Sequence, residues 1–260
     1  MVNWRALTPI FLVISGCAIL GKRPPEDVVA LPYVTSFASG HTSAAGGPGW
    51  EEWTFSGFKT PTRYEFVKDS GTVVVKASAE KSASGLRHAL RIDPAQYPLL
   101  SWRWKVNELI TSADNTRSET EDSPVRVLVT FDGDIGKLSF SERLTFDNIY
   151  LLTGRAMPYA TLVYIWENRA RKDTVISSRH TSRIKMIVAE SGREHLGRWQ
   201  DITRNVVEDF KRAFGEEPGT ITSVGIMTDT DNTGSKAEGF YGDIRFLRAS
   251  SRGARATGDE

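Results

Sequence analysis

The run Met227-Thr228-Asp229-Thr230-Asp231-Asn232-Thr233-Gly234, which closes one expected strand and precedes another, is the most distinctive stretch of the chain. Asp229 and Asp231 alternate as carboxylates do in the first half of a calcium loop, where they converge on a hard cation. The second half is missing. Position twelve of such a loop, counted from Asp229, is Phe240 rather than Glu, which excludes an EF-hand. Three roles stay open: a cation site on Asp229 and Asp231 with calcium as the candidate ion, a polar ligand contact through Asn232, and a hairpin whose Asp and Asn side chains bond their own backbone.

Other chemistries have weaker footing. The four histidines, His41, His88, His180 and His195, show no metal-ligand spacing. No glycine-rich phosphate loop, no Gly-x-Ser-x-Gly elbow and no closely spaced pair of strand carboxylates of the glycosidase kind occurs. Seven tryptophans point instead to saccharides, whose apolar faces stack on flat rings while planar polar groups take the hydroxyls. Trp166 stands with Asn168 at the end of one expected strand; Tyr241 and Asp243 share a face of another. Arg103 and Arg126 project from the non-core faces of two more strands, where each either pairs with Asp243 or meets an anionic group.

The elements that must position these residues have mainly a period of two. Leu100, Trp102, Trp104 and Val106 alternate with Ser101, Arg103 and Lys105, and Val125, Val127, Val129 and Phe131 with Arg126, Leu128 and Thr130. Further strands are expected at Thr72 to Ala77, Leu86 to Ile92, Leu162 to Trp166, Ile184 to Ala189, Ile221 to Thr228 and Phe240 to Phe246. One segment, Asn205 to Phe214, has helical spacing, with Asn205 and Glu208 placed as a capping box and Gly215 as its stop. The expectation is a mainly β fold: an antiparallel β-sandwich of jelly-roll type with one amphipathic helix.

The first residues read as an address. A short apolar run closes on Ile14-Ser15-Gly16-Cys17, and Cys17 is the one cysteine of the chain. That pattern resembles a bacterial lipobox, which implies lipidation of Cys17 after removal of residues 1–16. Residues 17–49, rich in Gly, Pro, Ser, Ala and Thr, are expected to tether a domain at 50–248, with 249–260 as a frayed tail. Ala18, where an inner-membrane retention signal places Asp, points to the periplasmic face of the outer membrane. With 33 basic and 32 acidic residues, no overall field draws in a phosphate backbone, so a dedicated nucleic-acid binder is excluded as the main reading.

The runs Pro98 to Val106, Asp122 ahead of Arg126-Val127, Tyr164-Ile165-Trp166-Glu167-Asn168, Met186-Ile187-Val188, Met227 to Gly234 and Tyr241-Gly242-Asp243-Ile244 together resemble domain-of-unknown-function family 3047, a group of bacterial secreted or lipid-anchored proteins. Glu167 departs from that pattern, which has a small residue there. The resemblance implies domain limits and no activity. The expected function is therefore a lipid-anchored envelope protein that binds a saccharide or other polar ligand, through Arg103, Arg126, Trp166, Asn168, Asn232, Tyr241 and Asp243. The alternatives are a polysaccharide hydrolase or lyase using Asp229, Asp231 or Asp243, and an envelope assembly protein with no small ligand.

Overall fold

The computed structural model describes residues 33–39, 49–54, 59–153 and 155–249; Cys17 with its apolar run, His41 and the last eleven residues lie outside them. Strands are numbered along the chain. The larger sheet has seven, in spatial order β1 (Trp50–Thr54), β4 (Ala83–Ile92), β11 (Ile221–Asp229), β6 (Ser123–Phe131), β7 (Ala160–Glu167), β9 (Ile184–Ser191) and β8 (Val175–Ser177). The smaller has six: β10 (Gln200–Asn205), β5 (Leu99–Val106), β12 (Lys236–Tyr241), β3 (Thr72–Glu80) and β2 (Arg63–Asp69) in order, with β13 (Arg245–Leu247) also on β5. The fold is mainly β, as the alternation requires.

One core lies between the sheets. Trp102 and Trp104 of β5 meet Tyr164 and Trp166 of β7, with ring centroids 4.9 Å and 6.4 Å apart. Val125, Val127, Val129 and Phe131 line the same interior. The opposite face of the larger sheet is also covered, by a second apolar cluster around Leu128, Val163, Ile165, Met186 and Val188. Double coverage explains why β7 is buried at every position and reads as an unbroken apolar run from Leu162 to Trp166 rather than an alternation.

Three expectations need correction. The pairing is not wholly antiparallel: β7 and β9 run parallel, joined by residues 168–183, a crossover long enough to bring the chain back in the same direction. The expected strand from Phe240 to Phe246 is two strands, interrupted at Gly242-Asp243-Ile244. There are two α-helices among the described residues, α1 (Phe140–Thr153) and α2 (Val206–Phe214). α1 hides in the sequence because its apolar residues point both ways, Phe146 into the core and Phe140, Leu144 and Leu151 to solvent, so no single stripe forms.

α2 follows its sequence signals closely. Asn205 Oδ1 accepts from the backbone N–H groups of Val207 and Glu208 at 3.1 and 3.2 Å, and Gly215 closes the helix in the left-handed region at φ 73°. Phe210 then packs on Phe131 with centroids 4.6 Å apart. Replacing Asn205 with alanine is expected to lower unfolding free energy by about 1 kcal/mol in a urea titration, the ordinary worth of an N-cap.

Candidate functional site

The acidic motif folds into a buried charge cluster on the outer face of the larger sheet. Two connections roof it: residues 107–122, between β5 and β6, and residues 230–235, between β11 and β12. Asp122, Asp229 and Asp231 each offer an oxygen within 4.8 Å of the others. Arg126, 4% exposed, supplies the counter-charge: its Nε donates to Asp229 Oδ1 at 2.8 Å, and its Nη2 to the Glu121 carbonyl at 2.6 Å. Ser123 N–H also donates to Asp229 Oδ1, at 3.0 Å. Lys59 pairs with Asp231 Oδ2 at 2.6 Å, leaving Asp231 Oδ1 buried without a hydrogen bond.

Asp122 performs the turn-capping role that the motif itself was expected to fill. Its carboxylate accepts from Asn232 N–H at 3.3 Å and from the Thr233 N–H and hydroxyl at 2.7 and 2.6 Å. Asn232 in turn donates from Nδ2 to the Ser118 carbonyl at 2.6 Å, fastening one roof loop to the other. Burial pushes the Asp229 carboxyl up to about 6, against the pull of Arg126 and with the Asp122 charge adding to it. Oxygens so arranged suit a hard cation; here a guanidinium and an ammonium sit against them. Asp229 is held by Arg126, Asp231 by Lys59 and Asp122 by the Asn232-Thr233 turn, so the carboxylates are engaged with the protein's own groups; a glycosidase pair instead faces across an open cleft.

The other residues singled out in the sequence do not gather round this cluster. Trp166 and Tyr241, expected on a displayed surface, are core residues: Trp166 is fully buried with Nε1 donating to the Gly192 carbonyl at 3.0 Å, and Tyr241 donates its hydroxyl to the Met227 carbonyl at 2.5 Å. Each faces inward because its strand position has the core parity. Asn168 gives both Nδ2 protons to the roof loop, to the Ile110 and Ala113 carbonyls at 2.8 Å. Glu167 fills the position of an expected small residue by turning back onto the N–H groups of Arg169 and Ala170. Arg126 pairs with Asp229, not Asp243, and Asp243 holds residues 36 and 37.

Arg103 alone of that set faces open surface, and it has company. On the outer face of the smaller sheet its guanidinium lies 4.4 Å from the centroid of Trp199. Lys105 Nζ is 5.3 Å from the same ring and 4.5 Å from Phe240, and Lys76 Nζ is 5.9 Å from Phe240 on its other side. This ladder of rings and cations runs from Trp199, just ahead of β10, across β5 and β12 to β3. Lys105 also pairs with Asp69, and Lys76 with Glu238 at 2.5 Å. Trp199 and Phe240 were not picked out as ligand contacts. The signal was the shared parity of Trp199, Asp201 and Thr203, a face too short and too polar to declare a strand.

A family model described as "Protein of unknown function (DUF3047)" matches residues 48–245. The chain belongs to that family. No curated protein matches it. Among solved structures it is similar to the glycoside hydrolase domain of Endo-D from Streptococcus pneumoniae R6, at TM-score 0.36 and 9% identity over 78% of this chain and 22% of that one. It is similar to a beta-1,2-glucanase from Parabacteroides distasonis at TM-score 0.38 and 10% identity, over 85% and 26% of the two chains. Likenesses this weak speak for no shared chemistry, and this chain spans only about a quarter of either structure.

The DUF3047 span takes in both sheets, both helices, the charge cluster and the aromatic ladder. Residues 33–39 precede it. They fall in the stretch expected as a tether, yet they dock on the DUF3047 sandwich: Phe37 is buried against Trp50, Trp50 Nε1 donates to the Thr35 carbonyl at 2.9 Å, and Thr35 N–H donates to His88 Nε2 at 3.2 Å.

Proposed function

We propose that this DUF3047 member is a lipid-anchored envelope protein that binds a saccharide on the outer face of its smaller sheet. The observation that carries the reading is the ladder of Trp199, Arg103, Lys105, Phe240 and Lys76 across adjacent strands. Rings on a flat sheet face give a sugar apolar planes to lie on, and the cations and carboxylates between them give its hydroxyls directional partners. The buried charge cluster then has a supporting role, fixing the connection that leads from β11 into β12 and so into the ladder.

The lipid anchor at Cys17 rests on the lipobox-like run, and the place on the periplasmic side of the outer membrane on Ala18 after it. A jelly-roll topology is the matching fold proposal: β3, β4, β5 and β6 alternate between the two sheets, as successive strands do in that architecture.

The test is retention of purified chain on immobilised envelope polysaccharides, followed by calorimetry on any that retain it. Trp199→Ala is expected to weaken binding by about tenfold, roughly 1.4 kcal/mol, with the melting temperature little changed. Retention by no polysaccharide, or full affinity in Trp199→Ala, would sink the reading.

A further inference from the structure

The geometry points to Arg103 as a built receptor for an anionic group, a carboxylate or a phosphate, on the ligand held by this face; the inference rests on the saccharide reading and narrows it to acidic sugars. Three elements fix the guanidinium. Gly242, beside β12, leaves the room it lies in: a Cβ there would stand 2.5 Å from Arg103 Cγ and 2.7 Å from Nε, so any larger residue would push the side chain off the sheet. Trp199 stacks on it at 4.4 Å, and Nη2 donates to the Thr72 hydroxyl of β3 at 3.2 Å. A long side chain so restrained has already lost most of the freedom that binding would otherwise cost it.

Its neighbours are satisfied and it is not. Lys105 has Asp69, Lys76 has Glu238, and Arg245 lies 3.8 Å from Asp243. Arg103 makes no ion pair within 4.0 Å among the described residues, although exposed Asp201 is its cross-strand neighbour on β10. Of the five guanidinium donors one is used, by Thr72. A flat fork with free donors beside an indole ring matches a two-oxygen anion bidentately, and a neutral hydroxyl does not use that geometry.

Calorimetry on the full chain at low ionic strength tests this with four probes: galacturonate oligomers, their neutral methyl esters, glucose phosphate and inorganic phosphate. The expected result is that the acid oligomer binds at least tenfold more tightly than its ester. Arg103→Gln should abolish that preference, and Arg103→Lys should restore only part of it, since charge returns without the fork. Preference for glucose phosphate over the uronate would assign the anion as phosphate; binding of inorganic phosphate alone, equal in Arg103→Gln, would overturn the receptor. Equal affinity for acid and ester would overturn it and leave saccharide binding standing. Failure of every sugar, acid and neutral, would remove both.

Discussion

Replacing Arg126 with leucine is expected to cost the fold about 3–5 kcal/mol, because it strands carboxylates that are buried and already close together. Asp229 and Asp122 are both almost fully out of water, and with Asp231 their oxygens come within 4.8 Å. Arg126 also spans to the Glu121 carbonyl, so its loss unfastens the roof loop as well as the ion pair. The penalty should depend on pH in a definite direction. Asp229 titrates in the folded chain near 6, above its ordinary value of 3.8, chiefly through burial. Between those values the folded state holds a proton that the unfolded state has released, so this group's contribution falls as pH rises from about 4 to 6. Without Arg126 the carboxyl is driven higher still. Arg126→Leu should therefore lose more stability at pH 8 than at pH 5 in parallel urea titrations, and adding Asp229→Asn should recover a good part of the loss. An equal penalty at both pH values, or one below about 1 kcal/mol, would mean that the cluster is not the tightly coupled unit described.

The sequence made the core legible and left the charge cluster mostly hidden, for a physical reason. Trp102 and Trp104 declare themselves because one face of β5 is apolar and the other is not, and a period of two is a local property. Arg126 sits on the non-core face of β6, as its parity requires, yet it is buried because a loop and a second apolar cluster lie over that face. Nothing local to β6 announces a cover that comes from residues 107–122. The motif at Met227 to Gly234 was visible, but its key partner Asp122 bonds across 111 residues to Thr233, a distance over which spacing carries no signal. The parallel pairing of β7 with β9 is hidden for the same reason. Trp166, expected on display, lies on a strand covered on both faces, whereas Trp199, for which the sequence carried no expectation, lies just ahead of a short strand whose outer face is open.

Removing the Phe37 side chain should cost up to about 3–5 kcal/mol, capped by the free energy with which residues 33–39 dock, since beyond that limit the segment detaches and the sandwich remains. Phe37 is 1% exposed, with Trp50 and Phe66 at centroid distances of 4.8 and 6.2 Å. Two titratable groups hold its flanks. Asp243 accepts from the Ser36 hydroxyl at 2.8 Å and from Phe37 N–H at 2.9 Å. His88 Nδ1 faces the Ala89 carbonyl at 2.9 Å and so must carry the proton, which leaves Nε2 to accept from Thr35 N–H. A second proton on the ring would set two donors face to face. Burial pushes the His88 pKa down, opposed by the Ala89 carbonyl and the Glu51 charge on β1. The folded state thus refuses a proton that the unfolded chain accepts below about 6.5, and the stability His88 provides is present above that pH and lost as pH falls through it. Hydrogen-exchange protection at Thr35 and Phe37 should accordingly drop between pH 7.5 and pH 5 in the wild-type chain. Phe37→Ala should show low protection at both, and His88→Gln, which cannot gain the proton, should show the same protection at each. Protection in the wild-type chain that does not change with pH would show that docking does not depend on the neutral imidazole.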